Sequence, residues 1–281
     1  GVWWVGRWST GEDKPRFVRW SREELSRCST DCQSELVHRA TSGSLAVALS
    51  DFDTGAPSVL METDLRTRLV SVDPSVRQDF EALSKLAGAN EFIVVDRDQT
   101  DRLWLVVVTS DVQGEQYWLW DRQLQKHRFL FSVQPKLDDY LLAPMESLDF
   151  KARDGLRLPA YLTRTTLAPD GPQPLVLVVH GGPQSRDYWG LDRIHQWLAN
   201  RGYHVMSVNY RGSTGFGKAH LLAGQGEWYA RMQDDLVDAV RWAIAEGIAD
   251  PNRVVIKGAS YGGYAALAGL TRDPSIFAAA V

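Results

Sequence analysis

The pattern of apolar residues changes near residue 145, and the two halves of the chain predict different kinds of structure. In the first half, short segments alternate apolar and polar residues and are separated by polar turns, which is typical of half-buried β-strands. The predicted strands are 2–8, 16–20, 45–49, 68–72, 92–95, 103–109, 116–120 and 128–133. The last four occupy roughly 44 residues, the size of one β-propeller blade. We therefore expect residues 1–145 to hold about three blades of a β-propeller, with a β-sandwich as the alternative.

One segment of the first half has helical spacing. Val76, Phe80 and Leu83 fall on one face of a predicted helix at 74–83, and Gly88 follows near its end. This helix interrupts the series of strands.

Strands and helices alternate after a predicted linker at 135–144. Asp154 and Gly155 predict a hairpin, because an Asp-Gly pair supplies the positive φ that a tight turn needs. The elements that follow are strands 174–179, 204–209 and 253–257 and helices 191–200, 230–246 and 262–270. Such alternation predicts a parallel sheet covered by helices, so we expect residues 146–281 to form an α/β domain.

A serine lies in a glycine-rich turn between the last predicted strand and helix. The sequence Gly-Ala-Ser-Tyr-Gly-Gly runs from Gly258 to Gly263. A Gly-x-Ser-x-Gly turn between a strand and a helix is typical of the nucleophile elbow of α/β-hydrolases, where small neighbours let the strand and helix approach. Ser260 is the predicted nucleophile; the alternative is a glycine-rich turn with an incidental serine.

A second motif, His-Gly-Gly-Pro at 180–183, directly follows an apolar strand. In α/β-hydrolases, one oxyanion donor is the backbone N–H after the nucleophile, and another comes from a loop of this kind. Tyr261 and Gly182 are therefore the predicted donors. For His180 two roles stay open, a loop-shaping or buried hydrogen-bonding residue and a residue that transfers protons.

Composition narrows the classes of partner. The chain has 281 residues with 44% hydrophobic residues, 23% charged residues and a formal net charge of −4. With no basic block, nucleic acid and anionic membranes are not expected partners, and no apolar run approaches the ~18 residues of a membrane span. Both ends of the chain have the character of cut ends, since there is no initial methionine and the last residues resemble the start of a strand.

Cysteines and histidines predict no metal site and no other cofactor. Cys28 and Cys32 are too few for a disulfide scaffold, and we expect two free thiols rather than zinc ligands, with the cytoplasm as the favoured compartment. No histidine pair has the i, i+4 spacing of a helical metal site.

Three further polar features have less specific interpretations. The glycine-rich segment 212–218 fails the P-loop pattern, because Ala219 follows Lys218. Asp234 and Asp235 are expected to have capping or solvated roles rather than to form an acid pair. Arg186 and Asp187 are either an ion pair that holds their loop or, less favoured, a substrate contact.

Four motifs in order resemble the prolyl oligopeptidase family of serine peptidases, and within it the acylaminoacyl-peptidase and dipeptidyl-aminopeptidase branch. They are His-Gly-Gly-Pro at 180–183, Asn-Tyr-Arg-Gly-Ser-Thr-Gly-Phe-Gly at 209–217, Asp-Pro-x-Arg at 250–253 and Gly-x-Ser-Tyr-Gly-Gly-Tyr at 258–264. The resemblance implies an α/β-hydrolase domain, incomplete at its C-terminus, preceded by part of a β-propeller that restricts access to small peptides.

The resemblance also implies a serine peptidase in which Ser260 forms an acyl-enzyme on short peptides, with Gly182 and Tyr261 as oxyanion donors. The main departure from the family is that the 21 residues after Ser260 contain no histidine, although the triad of this fold runs Ser, Asp or Glu, His. We expect both the triad histidine and the triad Asp or Glu to lie outside the 281 residues, and therefore expect these residues alone to be inactive. A carboxylesterase on the same fold and a non-catalytic binding scaffold are the alternatives.

Overall fold

The computed structural model describes residues 2–7, 11–21, 23, 34–168 and 171–281. Cys28 and Cys32 lie outside the described residues, so the expectation of free thiols stays a prediction. The chain divides into two compact units. Unit 1 comprises Gly1–Thr109, Glu115–Pro135 and Gly215–Lys218, and unit 2 comprises Ser110–Gly114, Lys136–Thr214 and Ala219–Val281.

The described residues of unit 1 form three antiparallel sheets whose strands follow one another in chain order, as in β-propeller blades. The first sheet contains β1 (Val2–Arg7), β2 (Arg16–Ser21) and β3 (Glu35–Arg39), and the second contains β4 (Ser44–Ser50), β5 (Pro57–Thr63) and β6 (Thr67–Ser71). The third contains β7 (Glu91–Arg97), β8 (Leu103–Thr109), β9 (Gln116–Asp121) and β10 (Lys126–Ser132). The expected propeller part is confirmed, although the apolar pattern did not predict β3 and β5.

The predicted helix of unit 1 packs against the third sheet. Helix α1 (Arg77–Ala87) ends at Gly88, whose φ of 63° favours glycine. Phe80 lies in a buried cluster with Trp104, and the centroids of the two rings are 5.8 Å apart. The amphipathic face of the helix therefore covers one face of the sheet, as its spacing predicts.

Unit 2 is built on one six-stranded sheet in the order β11-β12-β14-β13-β15-β16. Strands β11 and β12 are antiparallel, β12 pairs antiparallel with β14, and the remaining neighbours are parallel. The strands are β11 (Met145–Lys151), β12 (Arg157–Thr163), β13 (Gln173–Val179), β14 (His204–Val208), β15 (Ala249–Gly258) and β16 (Ala279–Ala280). The parallel part carries the helical connections expected of an α/β-hydrolase, and this fold is confirmed.

Helices α2 (Arg193–Ala199), α4 (Arg231–Ala245) and α5 (Tyr261–Arg272) lie where the pattern predicts helices, whereas the short α3 (Lys218–Leu222) is not predicted. In α4, Leu236 and Val240 are fully buried and face the core of unit 2. Strand β13 contributes Leu175 and Leu177 to the same core. Burial of a strand on both faces explains its continuous apolar sequence.

Among the described residues, the structure has no helix of the length and apolarity that crossing a membrane requires.

Candidate active site

Ser260 lies at a sharp turn between β15 and α5. Its backbone has φ 57° and ψ −123°, a combination that residues other than glycine rarely adopt. The turn is closed by the N–H of Gly262, which donates to the carbonyl of Ala259 at 2.9 Å. Ser260 is exposed. The strained backbone therefore presents an accessible hydroxyl at the end of a strand.

The glycines around Ser260 are required by close backbone contacts. A Cβ on Gly258 would lie 2.4 Å from the carbonyl carbon of Gly262. A Cβ on Gly262 would lie 2.1 Å from the carbonyl oxygen of Val179, at the end of β13. Any side chain at either position would therefore separate the helix from the sheet.

The His-Gly-Gly loop after β13 lies beside the predicted nucleophile. A Cβ on Gly181 would lie 3.3 Å from Cβ of Ser260 and 3.8 Å from its Oγ. Gly182 has a φ of 122°, which again favours glycine. The structure therefore brings together two motifs that are about 80 residues apart in the chain.

The two predicted oxyanion donors have free backbone N–H groups in the described part of the chain. Tyr261 is the first residue of α5, where an N–H has no carbonyl partner within the helix and the helix dipole favours negative charge. Neither the N–H of Gly182 nor that of Tyr261 donates to a backbone carbonyl within the described residues. Both groups are thus available to an acceptor that is not part of this chain.

Both ring nitrogens of His180 have hydrogen-bond partners within unit 2. Nδ1 lies 2.7 Å from the carbonyl oxygen of Gly181, and Nε2 lies 2.9 Å from Oγ of Ser213. Burial lowers the pKa of His180 to about 4, although the contact with Gly181 opposes the shift. The ring is therefore neutral at neutral pH and shapes the loop, which is the first of the two roles that the sequence leaves open.

Aromatic rings surround the loop and the first turn of α5. The ring of Tyr210 stacks on His180 with centroids 4.4 Å apart, and it lies 5.3 Å from Tyr261. Trp228 contacts both Tyr261 and Tyr264 at 4.9 and 5.4 Å. Burial raises the pKa values of Tyr210 and Tyr261, so both hydroxyls stay protonated.

A buried ion pair anchors the segment that carries Tyr210. The guanidinium of Arg211 is paired with Asp235 of α4 at 2.7 Å and with Asp154 at 2.8 Å. Asp235 is fully buried, so the expected capping or solvated role is wrong for this residue. Asp234 instead pairs with Arg153 and Arg272 and keeps about a quarter of its side chain exposed. Adjacent carboxylates on one helix thus have different environments.

Arg186 and Asp187 follow the same loop. Arg186 donates to the carbonyl of Asp187 at 3.1 Å and to the hydroxyl of Tyr161 at 3.3 Å. Its guanidinium also lies 4.6 Å from the ring centroid of Tyr188. Burial raises the pKa of Asp187 to about 7. These contacts give Arg186 a role in holding the loop.

The other histidines of unit 2 also have partners within the fold. His195 lies between hydroxyls of Thr163 and Ser207, at 3.0 and 2.8 Å. His204 accepts from the N–H of Thr165, and His220 lies 3.0 Å from the carbonyl oxygen of Tyr210. Within the described ranges, no group of three or more His, Cys, Asp or Glu residues is arranged to hold a metal ion.

Comparison with known proteins points to one family. The model of the prolyl oligopeptidase family matches residues 189–281. The dipeptidyl aminopeptidase BIII of Pseudoxanthomonas mexicana is 43% identical over 240 residues, which cover 83% of this chain and 35% of that protein. The acylamino-acid-releasing enzyme of Arabidopsis thaliana is 30% identical over 178 residues, which cover 60% of this chain and 23% of that protein. The chain thus spans about a third or less of the length of these relatives.

The fold has close counterparts among solved structures. The acylaminoacyl peptidase of Pyrococcus horikoshii superposes with a TM-score of 0.66 at 17% sequence identity. The superposition covers 95% of this chain and 40% of that chain. At this level of identity, the likeness supports the fold, and the chemistry has to be argued from the residues around Ser260.

Proposed function

This chain belongs to the prolyl oligopeptidase family, and we propose that it carries the nucleophile and the oxyanion loop of a serine peptidase that hydrolyses short peptides. The observation that carries the proposal is the approach of the His-Gly-Gly loop to Ser260, where a Cβ on Gly181 would lie 3.3 Å from Cβ of the serine. The strained, exposed turn at Ser260 supports the same role.

In the proposed reaction, Ser260 Oγ attacks the carbonyl carbon of the peptide while a general base takes its proton. Negative charge develops on the carbonyl oxygen, and the backbone N–H groups of Gly182 and Tyr261 donate hydrogen bonds to it. Such a donor typically contributes about 3 kcal/mol to the stability of the transition state. The amine then leaves with a proton from the base, and water hydrolyses the acyl group from Ser260.

The general base is proposed to come from sequence that follows Val281. In unit 2, both ring nitrogens of His180 and His195 are engaged by partners other than Ser260. The 21 residues after Ser260 contain no histidine. Since a serine hydroxyl without a base is a weak nucleophile at neutral pH, the 281 residues alone are proposed to be inactive.

We place the domain boundary between residues 145 and 146, with a propeller part at 1–145 and the catalytic domain at 146–281. The first strand of the six-stranded sheet begins at Met145, one residue before this boundary, and supports it, whereas the two compact units divide the chain ten residues earlier, between Pro135 and Lys136. The proposed substrates are short peptides rather than nucleic acid or membrane lipids, and the two cysteines favour a cytoplasmic location.

Among peptide substrates, the 43% sequence identity with a dipeptidyl aminopeptidase favours the release of dipeptides over the release of acylated amino acids. A carboxylesterase would use the same nucleophile and oxyanion loop, and a binding scaffold would use neither.

Hydrolysis assays on the protein expressed from the full reading frame separate these functions. The substrates are a dipeptidyl arylamide with a free amino terminus, an N-acetylaminoacyl arylamide and a simple carboxylic ester, with Ser260→Ala as the control. We expect cleavage of the dipeptidyl arylamide and its loss in the variant. Cleavage of the ester alone would favour the esterase, and turnover that survives in Ser260→Ala would exclude Ser260 as the nucleophile.

A further inference from the structure

We propose that unit 1 helps to hold the His-Gly-Gly loop in position through residues 215–218, called the docked segment below, and that Gly43 of unit 1 is a positioning residue for the proposed reaction. The inference rests on the proposed function and extends it to residues of unit 1. It is carried by the path of the chain and by close backbone contacts at two glycines.

The docked segment belongs to unit 1, although the residues on both sides of it belong to unit 2. The chain passes from unit 2 to unit 1 between Thr214 and Gly215, and it returns between Lys218 and Ala219. Covalent bonds therefore transmit any movement of the docked segment directly to Thr214.

Backbone contacts hold the docked segment within unit 1. Phe216 forms a parallel β-bridge with Gly43, and the N–H of Lys218 donates to the carbonyl of Asp13 at 3.0 Å. A Cβ on Gly43 would lie 2.6 Å from Cα of Phe216, and a Cβ on Gly217 would lie 2.7 Å from both carboxylate oxygens of Asp13. Because close-packed atoms do not tolerate such distances, a side chain at position 43 must displace the backbone it faces.

The turn that carries Gly43 is itself fixed within unit 1. The carboxylate of Glu62 accepts hydrogen bonds from the backbone N–H groups of Thr41 at 3.0 Å and Ser42 at 3.2 Å. Glu62 lies on the middle strand of its sheet and is only 1% exposed, so water does not compete for these bonds. We therefore expect a side chain at position 43 to displace the docked segment rather than the turn.

In unit 2, Thr214 contacts the continuation of the His-Gly-Gly loop. Its N–H donates to the carbonyl of Ser185 at 2.9 Å. Ser185 lies against Gly182, since a Cβ on Gly182 would be 3.1 Å from Cβ of Ser185. The position of Thr214 therefore bears on the position of the Gly182 N–H, the proposed oxyanion donor.

The same stretch of chain has a second fixed point within unit 2. Arg211 is anchored by its ion pair with Asp235. Gly212, with a φ of 94°, separates this anchor from Thr214 and has no side chain to restrict its rotation. One anchor does not define the direction of the chain three residues later, and the docked segment supplies the second.

Gly43→Ala tests the inference, and Gly6→Ala is its matched control. Gly6 is exposed in β1, and a Cβ there would meet no heavy atom of the described residues within 4 Å. For the full reading frame and the amide substrate that wild type cleaves, we expect Gly43→Ala to lower kcat about 10- to 100-fold with KM nearly unchanged, because a displacement of about 1 Å at a reacting group has effects of this size. Gly6→Ala should keep the kcat of wild type. Titration to completion with a fluorophosphonate counts the competent molecules, so that misfolded protein does not enter kcat.

Hydrogen exchange separates this coupling from a simple loss of stability in unit 1. A destabilised unit 1 exchanges faster in its own strands, whereas the inference requires faster exchange at the amide of Thr214, in unit 2. We expect that amide to exchange at least about tenfold faster in Gly43→Ala than in wild type, and at the wild-type rate in Gly6→Ala.

Phe216→Leu provides a second variant that introduces no overlap. It shortens a buried side chain of the docked segment, and we expect it to lower kcat by at least about fivefold. If Gly43→Ala does not fold, Phe216→Leu decides the question alone.

The outcomes separate this inference from the proposed function. If wild-type protein hydrolyses the amide through Ser260 but the folded variants keep the wild-type kcat, the inference is wrong and the proposed function stands. A loss confined to KM, or unchanged exchange at Thr214, would also overturn it. If Ser260→Ala retains full activity, the proposed function itself fails.

Discussion

Gly262 of α5 lies directly against the carbonyl oxygen of Val179, the last residue of β13; a Cβ on Gly262 would come within 2.1 Å of that oxygen. Val179 immediately precedes the His-Gly-Gly loop. The two motifs of the candidate site are therefore joined by backbone contact at their bases as well as by the approach of Gly181 to Ser260. The loop can therefore keep this position only if residue 262 is a glycine, because any side chain there would push the backbone of Val179 away.

We expect Gly262→Ala to lower the free energy of unfolding by about 2 to 3 kcal/mol, because a methyl group there must displace backbone. Gly263→Ala is the matched control, since its Cβ would meet Gly258 at an ordinary 3.4 Å. Alanine in a helix is favoured over glycine by about 0.5 to 1 kcal/mol, so this variant should be as stable as wild type or slightly more stable. Denaturant unfolding of the two variants measures the difference, and equal stabilities would argue against the contact.

We expect the backbone conformation of Ser260 to lower the free energy of unfolding. A residue held at φ 57° and ψ −123° costs about 1 to 3 kcal/mol, and glycine avoids most of this cost. We expect Ser260→Gly to be more stable than Ser260→Ala by about 1 kcal/mol, after allowance for the larger unfolded-state entropy of glycine. Both variants lack the hydroxyl, so thermal unfolding compares the backbone alone; no difference would mean that the turn is unstrained.

Substitution of Asp235 and Asp234 compares a fully buried carboxylate with a partly exposed one on the same helix. Asp235→Ala leaves the buried guanidinium of Arg211 with only the partly exposed Asp154, so we expect a loss of about 3 to 5 kcal/mol of unfolding free energy. Asp234→Ala should cost about 1 kcal/mol or less. Urea unfolding of the two neighbours is the measurement, and similar losses would contradict the assignment of Arg211 and Asp235 as the buried pair.

We expect Glu62 of unit 1 to make the free energy of unfolding fall at acidic pH. Burial alone raises the pKa of this carboxylate, but hydrogen bonds from His38, Thr41 and Arg68 outweigh it and lower the pKa from 4.5 to about 2. A carboxylate with a lowered pKa in the folded state stabilises the protein above its unfolded pKa, and the stabilisation is lost as pH falls from about 4.5 toward 2. The shift corresponds to about 3 kcal/mol.

Denaturant unfolding of wild type and Glu62→Gln at several pH values checks this prediction. Glutamine resembles the protonated carboxyl, so the difference in stability between the two proteins should be about 3 kcal/mol near pH 6 and should narrow steadily below pH 4.5. A difference that does not change with pH would show that the ionised form of Glu62 contributes nothing.

The sequence predicts those elements whose signal is local. The strand, turn and helix around Ser260 need only small residues and two apolar runs, and the structure has all three where they were expected. In α4, apolar residues recur at helical spacing over several turns, so the local pattern is sufficient to predict the helix. Recognition of the family depends on motifs of the same local kind.

Features that depend on residues far apart in the chain could not be predicted from the local sequence. Strand β5 is the middle strand of its sheet and is buried along most of its length, so it lacks the alternation that marks a half-exposed strand. It also contains a charged residue, Glu62, which a buried strand rarely holds. The donors that compensate its charge come from residues up to 24 positions away, so the local sequence does not show them. The same holds for Asp235, whose buried partner Arg211 is 24 residues upstream. The hydroxyl that contacts Nε2 of His180 likewise comes from a distant residue, because Ser213 lies 33 residues downstream.

If Ser260 is an activated nucleophile in the complete protein, its hydroxyl reacts covalently with a fluorophosphonate. The full reading frame and its Ser260→Ala variant are treated with a fluorophosphonate, digested, and analysed by mass spectrometry to locate the adduct. We expect one adduct, on the peptide that contains Ser260, and none in the variant. An adduct on a different residue, or unchanged labelling of Ser260→Ala, would contradict it.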